Sequence, residues 1–215
     1  MLGGVPSQQS RVCCTRTDVR RHLSAGGHTL DPICQAAYEN NVQEVHNLLQ
    51  ENSKNLNIQD SCYGDTALIA ACRHGHLRTV KYLLHQKADT NIKNEKKRTC
   101  LHYVIRNTYS YVDYLIIIIL MPVLLIGFFI MEQKKRRTAT LVSMILNTGV
   151  DVNAVDYKGN TALHYACKMR STKIVPLLME KNADLTIKNQ DGESPLDIAE
   201  RLKFPKIVQM LKKSS

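Results

Sequence analysis

The chain has 215 residues, of which 29 are Lys or Arg and 19 are Asp or Glu, so its formal net charge is +10. This length accommodates one or two domains, and a composition of 44% hydrophobic and 22% charged residues excludes a low-complexity or wholly disordered chain. Seven cysteines, with no Cys-x-x-Cys pair, support neither a disulfide framework nor a zinc module. We expect a folded protein with reduced thiols.

Residues 1–30 form a basic N-terminal extension, which contains Arg11, Arg16, Arg20 and Arg21. The extension lacks the apolar stretch of a secretory signal, so secretion is not predicted, while a mitochondrial presequence stays open. Cys13 and Cys14 lie beside basic residues and are candidates for palmitoylation. The composition itself favours a disordered tail with unmodified thiols.

A phrase of six residues recurs along the rest of the chain. It starts at Thr66, Thr99, Thr161 and Ser194, with a degenerate copy at Asp31. The first two of these Thr/Ser starts are 33 residues apart, and so are the last two, whereas the two in the middle are 62 apart. A second apolar segment follows each start after about 14 residues, as a period of ~33 residues with two helices per unit requires. We predict stacked helix pairs, because no single pair buries its own apolar faces.

The phrase also has local helix signals. Thr or Ser at its start is suited to accept a hydrogen bond from a free backbone N–H at the helix N-terminus, and Pro195 suits the first helical position. Leu at the third position and Ala at the sixth position share one helix face. Gly64, Gly159 and Gly192 precede three of the phrases and indicate turns in the left-handed conformation.

The run Thr161-Ala162-Leu163-His164-Tyr165-Ala166 resembles the Thr-Pro-Leu-His-x-Ala signature of the ankyrin repeat. The resemblance implies an all-α solenoid of helix pairs with projecting loops, in which His102 and His164 are structural rather than catalytic. We divide the chain into the extension 1–30 and a domain 31–215. The repeats of this domain are 31–65, 66–98, 99–160 with an insert at 109–137, 161–193 and 194–215, and its Lys-rich end acts as a cap.

The insert in repeat three contains 18 uncharged residues, from Tyr114 to Met131. As a helix they would reach about 27 Å, just short of a hydrocarbon core of ~30 Å. A membrane segment is the leading interpretation. The residues predicted to enter the membrane are Leu115, Ile116, Ile117, Ile118, Ile119, Leu120, Met121, Pro122, Val123, Leu124, Leu125, Ile126, Gly127, Phe128, Phe129, Ile130 and Met131.

Both flanks of the apolar run are basic, and the flank that follows it, Lys134, Lys135, Arg136 and Arg137, is predicted to lie at the membrane surface. A simple span would also separate the two halves of repeat three, leaving too few units on each side for stability. With Pro122 near the middle, we predict a monotopic hairpin with arms from Leu115 to Met121 and from Val123 to Met131. A complete span and an apolar arm packed against the solenoid or a partner are the alternatives.

The segment Met121-Pro122-Val123-Leu124-Leu125-Ile126-Gly127 inside repeat three narrows the resemblance to membrane-associated ankyrin proteins. That resemblance implies a protein without enzymatic activity. In agreement with it, the chain has no Gly-rich phosphate loop, no metal-ligand spacing and no nucleophile elbow. No cofactor, metal or small-molecule substrate is predicted. Nucleic-acid binding lacks a motif too, because the surplus positive charge is spread along the chain.

Stacked repeats bind partners through an extended concave face that their loops and first helices form. The eighth position of each phrase is basic, and stacking would place Arg73, Arg106, Lys168 and Arg201 in one row that suits an acidic partner. Further candidates at the loop tips are Tyr63, Asp65, Tyr157, Asn160 and Glu193. The basic column is also compatible with a solvated helix face.

The main functional hypothesis is a membrane-anchored adaptor that presents a protein-binding surface at a cytosolic face. The rival is a soluble ankyrin module whose apolar insert docks a partner protein. Insertion into one leaflet favours the endoplasmic reticulum or a lipid droplet, and the basic extension keeps a mitochondrial membrane open.

Overall fold

The computed structural model describes residues 31–106 and 124–214, and of residues 124–131 and 214 it describes the backbone alone. These parts form ten α-helices and one short 3₁₀ helix, Ser53–Asn57, with no strand. The α-helices are α1 Pro32–Tyr38, α2 Val42–Glu51, α3 Ala67–His74, α4 Leu77–His85, α5 Cys100–Arg106, α6 Leu124–Leu146, α7 Ala162–Lys168, α8 Ile174–Glu180, α9 Pro195–Arg201 and α10 Pro205–Ser214.

The helices form two layers. The odd-numbered helices pack side by side in chain order, α1 against α3, α3 against α5, α5 against α7 and α7 against α9. The even-numbered helices pack in the same order, and each also contacts the odd-numbered helix that precedes it. The expected stack of helix pairs is therefore present, with a first-helix layer and a second-helix layer.

The predicted helix caps are confirmed. The hydroxyls of Thr66, Thr161 and Ser194 each accept a hydrogen bond from the backbone N–H three residues later. Pro195 lies at the predicted helix start. Each cap satisfies one of the backbone donors that a helix start leaves free, and is worth about 1 kcal/mol.

The two phrase histidines join neighbouring repeats. Nδ1 of His102 accepts hydrogen bonds from the N–H and hydroxyl of Thr99, at 3.3 and 3.0 Å, so Nε2 has the proton and donates to the Asn160 carbonyl at 3.2 Å. His164 bonds in the same way to Thr161 and to the carbonyl of Glu193. Both rings are buried. Their contacts agree with the structural role that the family resemblance implied.

The core follows the repeat pattern. The third-position leucines Leu68, Leu101 and Leu163 are buried, as are the sixth-position alanines Ala71, Ala166 and Ala199. Four of the five cysteines in the described part, Cys34, Cys72, Cys100 and Cys167, are buried with them. Burial raises the pKa of the Cys167 thiol to about 12, so this thiol stays protonated and packs as a small apolar side chain.

Helix α6 corrects the predicted boundary between insert and repeat. The repeat period placed the start of the second helix of repeat three at Thr138, but α6 is one uninterrupted helix from Leu124 to Leu146. No proline interrupts its sequence, and Gly127 near its start is tolerated at a cost of about 1 kcal/mol. The last 14 residues of the predicted insert 109–137 therefore belong to the helix that enters the stack.

The same helix bears on the predicted membrane hairpin. Of the returning arm, Val123 to Met131, the part from Leu124 onward belongs to α6, whereas the entering arm, Leu115 to Met121, lies outside the described residues. The described part of the chain shows no helical hairpin here. Packing of α6 begins where the period placed it, since Thr138, Leu141 and Val142 are buried.

Candidate partner-binding surface

Four loop tips project between the repeats, and we call residues 60–65, 94–98, 156–160 and 189–193 fingers 1 to 4. Each finger begins with Asp or Asn, namely Asp60, Asn94, Asp156 and Asn189. One side-chain oxygen of this residue accepts the backbone N–H groups of its own turn; for Asp156 the donors are Lys158 and Asn160, at 2.9 and 3.0 Å. This local bonding holds each finger in one conformation.

Backbone hydrogen bonds connect the fingers into a row. The N–H groups of Glu95, Tyr157 and Gln190 donate to the carbonyls of Tyr63, Lys96 and Lys158 on the preceding finger, at 3.1, 3.2 and 2.9 Å. The turns also use the left-handed conformation that the sequence predicted, with positive φ at Gly64, Gly159 and Gly192. The four fingers therefore form one continuous surface rather than four independent loops.

A buried ion pair joins fingers 2 and 3. Arg98 donates from Nε to the Asp156 carboxylate at 3.0 Å and from Nη2 to the Tyr165 hydroxyl at 3.1 Å. Tyr165 donates in turn to Asp156 at 2.6 Å. The exposed fraction is 7% for the Arg98 side chain and 0% for the Asp156 side chain. The pair connects residues 58 positions apart, across the insert.

The electrostatics of this cluster favour the ionised pair. Burial acts to raise the pKa of Asp156, but hydrogen bonds from Tyr165, from backbone N–H groups and from Arg98 outweigh it and lower that pKa. Burial likewise opposes the charge on Arg98, yet the neighbouring Tyr165 and Asp156 raise its pKa above the ordinary value. The cluster is therefore a charged contact sealed inside the stack.

A second polar cluster joins fingers 1 and 2. Asn94 donates to the Asp65 carboxylate at 2.7 Å and to the Tyr103 hydroxyl at 2.8 Å. Arg73 forms an ion pair with Asp65, donates to Tyr103 at 3.2 Å, and lies over the rings of Tyr103 and Tyr63, at 4.6 and 5.0 Å. Burial raises the pKa of Asp65 to about 6, although Arg73 and Asn94 act in the opposite direction.

The basic column is placed in the last turn of each odd-numbered helix from α3 to α9, as the repeat pattern predicted. Its members have different surroundings. Arg106 is exposed and lies 5.5 Å from the ring of Tyr165, and Arg201 pairs with Glu193 at 2.5 and 3.0 Å. Lys168 is exposed. With Arg73 already in an ion pair, Arg106 and Lys168 are the members best placed to contact a partner.

The loop-tip candidates also differ. Asn160 accepts a hydrogen bond from Asn189 on its side-chain oxygen and one from His102 on its carbonyl, so its oxygens serve the stack itself. Tyr63 is half-buried beside Arg73. Tyr157 is 43% exposed and is the aromatic residue of the row that is most accessible to a partner.

The predicted membrane residues have a different standing. Leu115 to Val123 lie outside the described residues, and from Leu124 to Met131 the backbone of α6 is described. Lys134 and Lys135 are half-buried, Arg136 and Arg137 exposed. None of the helices in residues 31–106 and 124–214 combines the length and apolar character that a bilayer crossing requires. Within the same ranges, no cluster of three or more His, Cys, Asp or Glu side chains could hold a metal ion.

Comparison with known proteins adds the family. A family model described as "Ankyrin repeats (3 copies)" matches residues 33–119, and one described as "Ankyrin repeats (many copies)" matches residues 145–199. Together the two matches cover well over half of the chain.

The chain belongs to the ankyrin repeat family.

Curated relatives match over short parts of longer proteins. An L-asparaginase of Dirofilaria immitis is 30% identical over 159 residues, which cover 67% of this chain and 25% of the relative. The ankyrin repeat and SAM domain-containing protein 6 of Rattus norvegicus is 37% identical over 78 residues, 36% of this chain and 9% of the relative. The neurogenic locus notch homolog protein 1 of Xenopus laevis is 30% identical over 120 residues, 50% and 4% respectively. The chain spans a quarter or less of each.

Within this ankyrin stack, sequence reasoning missed Arg98 and Asp156 as a pair. The residue just before each phrase is Asp65, Arg98, Asn160 or Glu193, so Arg98 is the cation in a column of acidic or amide side chains. A cation facing the conserved-looking Asp/Asn position of the next finger was the signal that could have identified the contact. Because 58 residues separate the two, only the correct repeat alignment would have revealed it.

Proposed function

We propose that this protein is a non-enzymatic ankyrin adaptor that associates with a membrane through the apolar segment of repeat three and binds a partner protein through its stack. Ankyrin repeats are protein-binding modules, and the two layers with their connected fingers supply such a surface. The observation that favours the membrane is the run of 18 uncharged residues, which ends inside a helix that continues into the stack.

The energetics of the apolar run favour insertion. It contains thirteen Leu, Ile, Val and Phe residues. At roughly −0.3 to −0.6 kcal/mol each at a membrane centre, they contribute about −4 to −8 kcal/mol as an upper estimate. Basic residues near an anionic leaflet add about 1 kcal/mol each, and four of them follow the run directly, from Lys134 to Arg137.

The geometry of α6 is consistent with this role. Its first 14 residues precede Thr138, the first buried residue of the repeat, and as a helix they reach about 21 Å. The apolar residues are at the far end of this extension and the basic residues are at its base. A monotopic insertion would place the base at the headgroups. We extend the proposal to the endoplasmic reticulum or a lipid droplet, with a mitochondrial membrane as the alternative.

Carbonate extraction combined with protease protection tests the proposal. We expect the full-length protein to stay with the membrane in carbonate, and tags at both ends to be digested in intact organelles. Release by carbonate would instead favour an apolar insert that docks a partner protein. A protected C-terminal tag would show a complete span.

A pair of double variants sharpens this test. Ile118→Lys with Leu125→Lys places two charges in the apolar run, each costing about 2.5–3.5 kcal/mol in a membrane, and should release the protein. The matched control, Gln50→Lys with Gln209→Lys, adds the same charge at exposed positions of α2 and α10 and should stay bound. Equal retention of both variants would contradict membrane insertion.

A further inference from the structure

Helix α6 leaves the stack at the end opposite the fingers. At the base of its extension, Glu132 pairs with Lys173 at 2.5 Å, and Lys173 belongs to the short turn between α7 and α8. At the other end of α6, the Thr148 hydroxyl donates to Thr90 at 3.1 Å, just before finger 2. The stack therefore has a short-turn end, from which the apolar extension projects, and a finger end.

This arrangement separates the fingers from any surface that holds the apolar extension. The 23 residues of α6 span about 33 Å along the helix axis. This distance is several times the Debye length of ~8 Å at physiological ionic strength. Lipid headgroups at the start of α6 would be out of electrostatic range of the fingers, which leaves a partner in the aqueous phase as their ligand.

The centre of the finger row is basic and aromatic. Lys93, Lys96, Lys97 and Lys158 are exposed, and no ion pair engages any of them within the described part of the chain. Tyr157 lies among them, with Lys158 5.7 Å from its ring on one side and Arg98 5.1 Å on the other. An exposed ring flanked by cations offers both apolar area and charge to a ligand.

Most carboxylates of this region are already engaged. Asp156 is buried against Arg98, Asp65 against Arg73, and Glu193 pairs with Arg201. The exposed acids of the row are Glu95 and Asp191. The lysines of fingers 2 and 3 therefore dominate the charge that a ligand meets.

Finger 2 also departs from the other three in a way that adds to this charge. Its left-handed turn position, φ 52°, is Lys97, whereas the matching positions of the other fingers are glycines. A side chain in this conformation is unfavourable by about 1–2 kcal/mol. The strain is retained where it adds one more cation to the tip.

We infer that the central finger surface, formed by Lys93, Lys96, Lys97, Tyr157 and Lys158, binds an acidic segment of a partner protein on the side facing away from the apolar extension. The inference rests on the proposed function only in that the stack is a protein-binding module. Binding is salt-dependent, because the lysines are exposed and screened by ions.

Fluorescence anisotropy with a labelled Glu-rich peptide tests this inference, with a Gln-rich peptide of the same length as reference. The test variant is Lys93→Glu, Lys96→Glu and Lys158→Glu combined. The control variant is Arg78→Glu, Lys81→Glu and Lys206→Glu, which makes the same change of charge at exposed positions of α4 and α10. Both are made in the full chain in the same detergent, and circular dichroism verifies that both fold.

We expect the finger variant to bind the Glu-rich peptide at least about tenfold more weakly than wild type, and the control variant to change affinity less than about threefold. Equal weakening in both variants would overturn the inference, because net charge alone would then explain binding. Tighter binding of single-stranded oligothymidine than of the peptide would overturn it in favour of nucleic acid. Loss of binding to phosphatidylserine-containing vesicles in the finger variant would overturn it in favour of lipid.

The two proposals fail independently. Peptide binding is measured without vesicles, so a protein that carbonate releases from membranes can still bind the peptide through its fingers. Conversely, the Ile118→Lys, Leu125→Lys variant should lose membrane retention and keep peptide affinity. Loss of peptide binding in that variant would refute the separation of the two surfaces.

Discussion

Arg98→Met removes the cation that the buried Asp156 carboxylate faces. Breaking a buried ion pair costs about 3–5 kcal/mol, because the remaining charge loses its partner without regaining water. Asp156 keeps the hydroxyl of Tyr165 at 2.6 Å and the N–H groups of Lys158 and Asn160. We therefore expect a loss near the lower limit, about 3 kcal/mol in the free energy of unfolding, measured by urea titration with far-ultraviolet circular dichroism.

Arg106→Met is the matched control for this variant. Arg106 is exposed, and its described contact is with the Tyr165 ring at 5.5 Å, so its loss should cost less than about 1 kcal/mol. If Arg98→Met were no less stable than Arg106→Met, the buried pair would contribute nothing to the stack and the reasoning would be refuted.

A double substitution offers a rescue taken from the chain itself. At the equivalent positions one repeat later, Asn189 donates to Asn160 at 3.0 Å, with no charge involved. Arg98→Asn combined with Asp156→Asn copies this amide pair, while the new Asn at the second position still accepts from its own turn. We expect the double variant to recover most of the stability that Arg98→Met loses. A double variant as unstable as Arg98→Met would show that charge, rather than pairing, is required.

Three further outcomes follow from the structure. Burial lowers the pKa of His102 to about 4, so its neutral form stabilises the fold above its unfolded pKa of about 6.5 and this contribution is lost as the pH falls toward 4; the stability difference between wild type and His102→Gln should shrink by about 2–3 kcal/mol between pH 7 and pH 4 in urea titrations, and a constant difference would contradict this. The same experiment on wild type alone would show a smaller change, because Asp65, whose pKa burial raises to about 6, acts in the opposite sense over the same range. Gly159→Ala should cost about 2–3 kcal/mol and Gly192→Ala about 1, because both have φ 75° but a Cβ at Gly159 would lie 3.1 Å from the Asn189 Cα, whereas at Gly192 none of the described atoms is within 4 Å; equal melting temperatures would disprove the contact. Deleting residues 109–137 should restore the 33-residue period and give a cooperatively melting stack, and an aggregated product would count against the alignment.

The repeat phrase made most of the fold predictable. Caps such as Thr66 and Thr161 depend on bonds within one helical turn, and the buried Leu and Ala positions depend on a periodicity that the sequence displays directly. The start of α6 was wrong by 14 residues for a physical reason. The apolar period records where a helix begins to pack, at Thr138, and not where its backbone begins to be helical, at Leu124.

The polar clusters were harder to predict than the helices. A column of basic residues is visible once the repeats are aligned, but whether Arg73 or Arg106 is engaged depends on the side chains of neighbouring repeats. The Arg98 contact also depends on how the chain returns to the stack after the insert. Such contacts are decided by three-dimensional packing, so no local pattern reports them.

Because α6 is a single helix from its apolar end to the core of repeat three, the chain has no swivel between them. Any inclination of the outer end is transmitted to the stack as by a rigid lever, and the Glu132–Lys173 contact braces its midpoint. Over about 33 Å, an inclination of about 10° moves the far end by about 6 Å. Membrane thickness or curvature could in this way steer where the fingers meet their ligand.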